Sequence, residues 1–270
     1  MKGLQITAYI SAALFLSLIS CEKELDFKYH DINPILVIEG SLTDNGVVVT
    51  ITDTTPMAEP MDKTLLTDAS VSITDLTSSV VTTLLPDSNG SFTADIAGEA
   101  GHSYRLDVEH GGKHFSAIST MTLPVEITDM EFNWVKMPYD DVAGLRVSFT
   151  DSGSVNDRYW VRVYRNGNAY QWNIVSDLLA TDGIIDQIIF TSRRDTEEED
   201  EKSILEEGDV VTTSVTPISR AMYDYLEAIT IGGSNGPQMF EGDFCLGYFL
   251  AAPVTSRSIV FDPANIPYYN

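Results

Sequence analysis

The sequence predicts a mainly all-β protein: two antiparallel β-sandwich-like domains in series, the second with one short helix. Three observations predict it. From residue 34 onward, short runs of β-branched and aromatic residues alternate with polar ones at regular spacing. Asn-Gly and Gly-Gly pairs fall between these runs, where hairpins turn. A helical period of convincing length occurs in a single segment. With 43% hydrophobic and 21% charged residues, the chain has the means to fold rather than remain a disordered acidic tail.

The first domain covers residues 34–124. Ile35-Leu36-Val37-Ile38 opens it, and Asp44-Asn45-Gly46 turns the chain into Val47-Val48-Val49-Thr50-Ile51. Val71-Ser72-Ile73-Thr74 and Val80-Val81-Thr82-Thr83-Leu84 are further strands, and Ser88-Asn89-Gly90 leads into Ser91-Phe92-Thr93-Ala94. Tyr104-Arg105-Leu106-Asp107-Val108-Glu109 alternates cleanly. Gly111-Gly112 then closes a hairpin onto Lys113-His114-Phe115, pairing Glu109 with His114 and His110 with Lys113. About seven strands over some ninety residues suit an antiparallel sandwich. Leu123-Pro124-Val125 marks the boundary, since proline interrupts a sheet.

The second domain covers residues 125–270. Leu145-Arg146-Val147-Ser148-Phe149 and Tyr159-Trp160-Val161-Arg162-Val163 alternate, with a hairpin signal at Asn166-Gly167. Later strands occupy residues 184–190 and 209–215. The helix falls near 219–231, where Ser219 is an N-cap and Met222, Tyr225, Leu226 and Ile229 recur at i, i+3, i+4 and i+7. Two apolar strands, at 245–251 and 258–261, end the domain.

Residues 1–20 read as a signal peptide: Lys2, a short apolar stretch, then small residues. The stretch is too short and polar to span a bilayer, which needs about 20 apolar residues. Leu18-Ile19-Ser20-Cys21 resembles a bacterial lipobox, which makes Cys21 the lipidation site and the new N-terminus. Several acyl chains on one cysteine give permanent anchoring. Residues 21–33 then form a lipidated tether, whose Glu22-Lys23-Glu24-Leu25-Asp26 resembles the surface-export signal of Bacteroidota lipoproteins.

Charge and chemistry narrow the function classes. Forty acidic against 16 basic residues give −24. That excess excludes a nucleic-acid partner, which needs a basic surface, and repels anionic head groups. With Cys21 acylated, Cys245 is the one free thiol and sits in an apolar run, which reads as a small buried hydrophobe. Gly232-Gly233-Ser234-Asn235-Gly236 fits the nucleophile-elbow pattern by letter, but no histidine follows His114, so an irregular glycine loop is the better reading. His110 and His114 fall on opposite faces of their hairpin, so a shared metal would need a bulge or a different register, and an exposed loop tip is the better reading. The acidic run 195–201 lacks the glycine that converges calcium ligands and reads as a solvated loop. No catalytic residue, metal site or cofactor is assigned, and an enzyme is not expected.

Contact loops are the remaining candidates. Met57 and Met61 sit in a proline-punctuated connection, where they serve a partner or pack on their own domain. Ser234, Asn235, Met239 and Phe240 follow the helix. Trp160 suits a core, and Trp172, just after the Asn166-Gly167 turn, suits an exposed platform.

Several segments together resemble a known family. The lipobox, Val37-Ile38-Glu39-Gly40, Asp68-Ala69-Ser70-Val71-Ser72-Ile73, Gly101-His102-Ser103-Tyr104-Arg105-Leu106, Tyr223-Asp224-Tyr225-Leu226 and Leu246-Gly247-Tyr248-Phe249 are similar to Bacteroidota lipoproteins of the DUF4249 family. The first domain also resembles transthyretin-like, carboxypeptidase-regulatory sandwiches. The resemblance implies an outer-membrane lipoprotein encoded near a TonB-dependent transporter, and it carries no catalytic residues with it. The resulting expectation is a non-catalytic, surface-exposed, lipid-anchored accessory protein that binds an unidentified ligand for a TonB-dependent barrel. The alternative is a free-standing adhesion or structural lipoprotein.

Overall fold

Turn chemistry sets the hairpins, and the hairpins set the sheets. The computed structural model describes residues 33–55, 64–138, 141–153, 157–193, 204–232 and 236–269. Cys21, Met57, Met61, the acidic run 195–201, Ser234 and Asn235 lie outside the described residues.

The first sandwich begins with β1 (Leu36–Thr43), β2 (Gly46–Asp53), β3 (Ser70–Asp75), β4 (Val80–Pro86), β5 (Phe92–Ala94), β6 (Ser103–His110) and β7 (Lys113–Thr120). These match the seven strands that the pattern marks between residues 34 and 124. Gly111 and Gly112, both at positive φ, form the tight β6–β7 turn. The register there pairs Glu109 with His114 and His110 with Lys113, as expected. Alternation drives Ile38, Leu42, Val49, Ile51, Ile73, Leu106 and Val108 into one core. β4 links two sheets: residues 80–84 pair with β3, whereas Leu85 and Pro86 pair with β5.

The second sandwich is a Greek key of three strands on four. β8 (Ile127–Lys136), β9 (Asp141–Thr150) and β12 (Ile184–Arg193) make one sheet, in the order β12-β9-β8. β10 (Arg158–Arg165), β11 (Asn168–Ser176), β13 (Val210–Ile218) and β16 (Thr255–Val260) make the other, in the order β11-β10-β13-β16. Asn166 at φ 50° and Gly167 at φ 81° form the β10–β11 hairpin turn. β8 and β11 add to the strands marked by the sequence pattern. In β8, Met130, Phe132 and Trp134 face the core while Asp129, Glu131 and Asn133 alternate with them. Edge-to-face pairs, Phe132 with Phe261 and Phe149 with Tyr159, each 5.0 Å between centroids, fill the space between the sheets.

The expected serial division at residues 124 and 125 does not hold for the C-terminal segment. β14 (Glu241–Gly242) pairs with β7 of the first sandwich. β15 (Leu246–Ala251) runs parallel to β1, from Val37 opposite Leu246 to Leu42 opposite Ala251. Phe240, Cys245, Phe249 and Ala251 therefore belong to the first core, and residues Pro34–Asn270 make one contact unit. The chain returns in β16 to complete the second sandwich beside β13. The physical reason is edge protection: β1 would otherwise present an open edge, and β15 covers it.

The helix α1 (Arg220–Ile231) bridges the two sandwiches. The Ser219 hydroxyl accepts the Met222 N–H, and Gly232 closes the helix in the left-handed conformation. Met222, Tyr225 and Leu226 pack with Trp160, Ile218, Leu250 and Ala252 in a third core.

Candidate binding groove at the helix and hairpin

The candidate site grows out of the β10–β11 hairpin. Alternation on β10 sends Tyr159, Val161 and Val163 into the second core and leaves Trp160, Arg162 and Tyr164 on the opposite face. Across the ladder, Trp160 lies opposite Ile174, Arg162 opposite Trp172, and Tyr164 opposite Ala169 beyond a bulge. The face is thus aromatic with a guanidinium at its centre. α1 and Tyr248 cover the Trp160 end, leaving Trp160 only 9% exposed. Trp172 stays 40% exposed, edge-on to Trp160 with 6.2 Å between centroids.

Two concavities meet at Trp172. A slot of about 210 Å³ is lined by Trp160, Arg162, Tyr164, Ala169 and Trp172, among others. A wider groove of about 430 Å³ runs between β11 and α1, lined by Trp172, Ile174, Tyr223, Glu227, Ile229 and Ile231. Ile229 fits the helical period but stands at this groove instead of in the core, and Ile231 is 75% exposed beside it. The guanidinium of Arg162 lies 4.5 Å from the Trp160 ring centroid, and its Nη2 donates to Thr216 Oγ1 at 3.2 Å. Among the described residues, no carboxylate forms an ion pair with Arg162. Burial pushes Tyr248 up to about 12, and the Glu39 carboxylate adds to the effect.

Sequence reasoning placed one residue, Trp172, at this groove. Phe240 was expected in a contact loop, yet it is 2% exposed and fills the first core, because β14 and β15 draw its segment inward. Met239 is partly buried against the first and third cores and does not line the groove. Trp160 is buried as expected, but under α1 on the outer face of its sheet instead of between the sheets. Cys245 is buried in the first core, and burial pushes its thiol up to about 12. Arg162, Tyr164 and Ile231 carried no local signal, and Ile229 signalled a buried helical stripe instead of a groove. The period-2 face of β10 shows which residues sit together, but not which face is left open.

Two polar clusters lie elsewhere. Arg146 on β9 reaches Asp129 and Glu131 at 2.8 Å and Asp186 at 3.4 Å, tying three strands of one sheet. Nδ1 of His102 lies 2.9 Å from Asp75, and Nε2 lies 3.5 Å from Glu99. Ser78 Oγ donates to the same Asp75 carboxylate at 2.8 Å, so the serine contacts the acid and not the imidazole. His110 and His114 lie near different carboxylates, Asp68 and Asp107. Among the described residues, no three His, Cys, Asp or Glu side chains are grouped to hold a metal, and no helix is long and apolar enough to cross a membrane.

Fold and groove together define an all-β protein of two interlocked sandwiches with an aromatic surface at their junction. Residues 22–258 match the family model described as a domain of unknown function, DUF4249, and the chain belongs to that family. No curated protein matches the sequence. Among solved structures, a two fibronectin type-III domain segment from chicken tenascin is similar at 13% identity. The match covers 85% of this chain and 100% of that one, at a TM-score of 0.23, too low to relate the two folds in detail.

Proposed function

We propose that this protein is a non-catalytic, lipid-anchored binding component of the outer membrane, displayed on the cell surface and accessory to a TonB-dependent transporter. The carrying observation is the junction groove. It gathers Trp172, Tyr223, Ile229 and Ile231 into one open apolar surface, of the kind that marks a binding site. Support for the anchor comes from Leu18-Ile19-Ser20-Cys21, and support for surface display from the acidic segment behind it. Cleavage before Cys21 would leave 15 basic and 40 acidic residues, a body of net charge −25 that stands off anionic lipid on its tether. Support for the transporter comes from the resemblance to Bacteroidota lipoproteins alone.

The test is mild crosslinking of the intact protein in its native outer membrane, followed by mass spectrometry of what copurifies. A stoichiometric TonB-dependent barrel is the expected result. Recovery of the protein alone at good yield would move the reading to a free-standing adhesion or structural lipoprotein. A Cys21→Ala variant should leave the membrane fraction, and its retention there would refute the anchor.

A further inference from the structure

We propose that the slot between Tyr164 and Trp172 binds one ring of a neutral carbohydrate, with the rest of a longer glycan following the groove along α1. The proposal rests on reading the junction groove as a capture surface, and it gives the captured ligand a chemical class.

The walls come first. Exposed Trp172 and partly buried Tyr164 and Tyr170 are aromatic side chains of the slot, and Trp160 backs them. Aromatic faces carry negative π density, which attracts the polarised C–H bonds on the flat side of a sugar ring. The same density would attract a cation, but Arg162 stands in the slot and repels one. An anion would be drawn to Arg162, yet it must approach a chain of net charge −24. A neutral ligand satisfies both constraints.

Unmet hydrogen-bonding groups point to hydroxyls. Among the described residues, Trp160 Nε1 and Arg162 Nε, on two side chains that line the slot, are buried without a hydrogen-bond partner, and so is the Ser214 hydroxyl, across from Arg162 on β13 but outside the lining. Trp160 is 9% exposed and Ser214 4%, so ordinary surface hydration does not serve them. Buried polar groups in folded proteins nearly always find partners, and orphaned ones clustered at a concavity mark a place for a ligand or ordered water. These atoms are closed to solvent in the unbound protein, so a sugar edge offers its oxygens to Arg162 Nε and Trp160 Nε1 only as those side chains turn toward the slot, while its face stacks. An aliphatic side chain of a docked protein would leave them unmet.

Size agrees. About 210 Å³ is smaller than the usual drug-sized pocket of about 300–1,000 Å³ and suits a single six-membered ring. Trp172 belongs to both concavities, so neighbouring rings have a continuous path into the groove.

The experiment titrates the full-length protein, held in a detergent without sugar head groups, with neutral hexaoses of α-glucan, β-glucan, β-mannan and β-xylan. Tryptophan fluorescence and saturation-transfer NMR are the readouts. At least one hexaose should bind with a Kd below about 1 mM. Trp172→Ala should weaken that binding about tenfold, the loss typical of an aromatic anchor, and the variant should still unfold in one cooperative transition, since Trp172 is 40% exposed and lies outside the cores. Arg162→Lys, which keeps the charge but loses the planar donors, should weaken it as well. Absence of binding by all four hexaoses, or binding that survives both Trp172→Ala and Tyr164→Ala, would overturn the proposal. Copurification of the barrel is scored separately. Barrel capture without sugar binding overturns this inference alone, whereas Trp172-dependent sugar binding without a barrel supports it and removes the transporter.

Discussion

Replacing Gly247 with alanine should detach β15 from β1 and expose the dependence of the first sandwich on its C-terminal strand. Gly247 lies opposite Ile38 in the parallel ladder, at φ +104°, a conformation that side chains disfavour. A Cβ there would sit 1.9 Å from the Ile38 carbonyl oxygen and 2.9 Å from the Ile38 nitrogen. Both contacts are to backbone, so rotamer changes cannot relieve them and the strand must move. The conformational strain is about 1–3 kcal/mol, and each ladder hydrogen bond lost adds about 1 kcal/mol. With two or three bonds disturbed the total reaches about 3–6 kcal/mol, against a whole stability of about 5–15 kcal/mol. For a chain of this size that lowers Tm by roughly 6–24 °C. Gly112→Ala is the control. Its φ is +76°, but nothing lies within 4 Å of the added carbon, so it carries the conformational strain without the clash. Thermal and urea unfolding of the two variants would measure the difference. A Gly247→Ala protein no less stable than Gly112→Ala would refute the close parallel pairing of β15 with β1.

Three further outcomes follow from the same structure. A fragment of residues 34–124 lacks β14 and β15, leaves β1 with an open edge, and removes Phe240 and Phe249 from the core. It should show no cooperative unfolding by circular dichroism, and a sharp transition would contradict the interlocked fold. At Asp75, burial pushes the carboxyl up, but hydrogen bonds from His102, Ser78 and the Thr77 N–H outweigh it and hold the group well below the usual carboxylate range. A depressed pKa contributes stability that is complete above the unfolded value of about 3.9 and is lost as pH falls through the folded value. Asp75→Asn should therefore cost about 1–3 kcal/mol near neutral pH. The Tm gap from the parent should narrow on going from about pH 7 to about pH 3, and a constant gap would sink the argument. Cys245, buried with its thiol pushed up to about 12, should resist a thiol-specific reagent at about pH 8 until the protein is unfolded. With Cys21 acylated, one thiol per chain should then appear. Reaction in the native state would contradict the burial, and two thiols on unfolding would contradict the acylation.

Much of the fold was legible because local chemistry specifies it. Gly111-Gly112 set the β6–β7 register to the residue, and Asn166-Gly167 turned β10 into β11, since both pairs adopt the positive φ that a two-residue hairpin needs. Ser219 and the spacing of Met222, Tyr225 and Leu226 located α1 within a residue. The groove was legible at Trp172 only. Arg162 and Tyr164 look like ordinary outward residues of an alternating strand, and Ile229 looks like part of a buried helical stripe. Which of them line an open surface depends on where α1 comes to rest across the hairpin.

The amino-acid sequence by itself therefore determined most of the strands, the hairpin turns and the helix cap, because each depends on residues within a few positions of one another. Only the tertiary structure decided where the last strands go. The apolar run 245–251 is compatible with either sandwich, and its period cannot name a partner about 200 residues upstream. Burial of Phe249 and Cys245 in the first core, together with the open edge that β1 would otherwise present, selects that partner. The same crossing places Tyr248 and α1 over Trp160, and so shapes the groove beside Trp172.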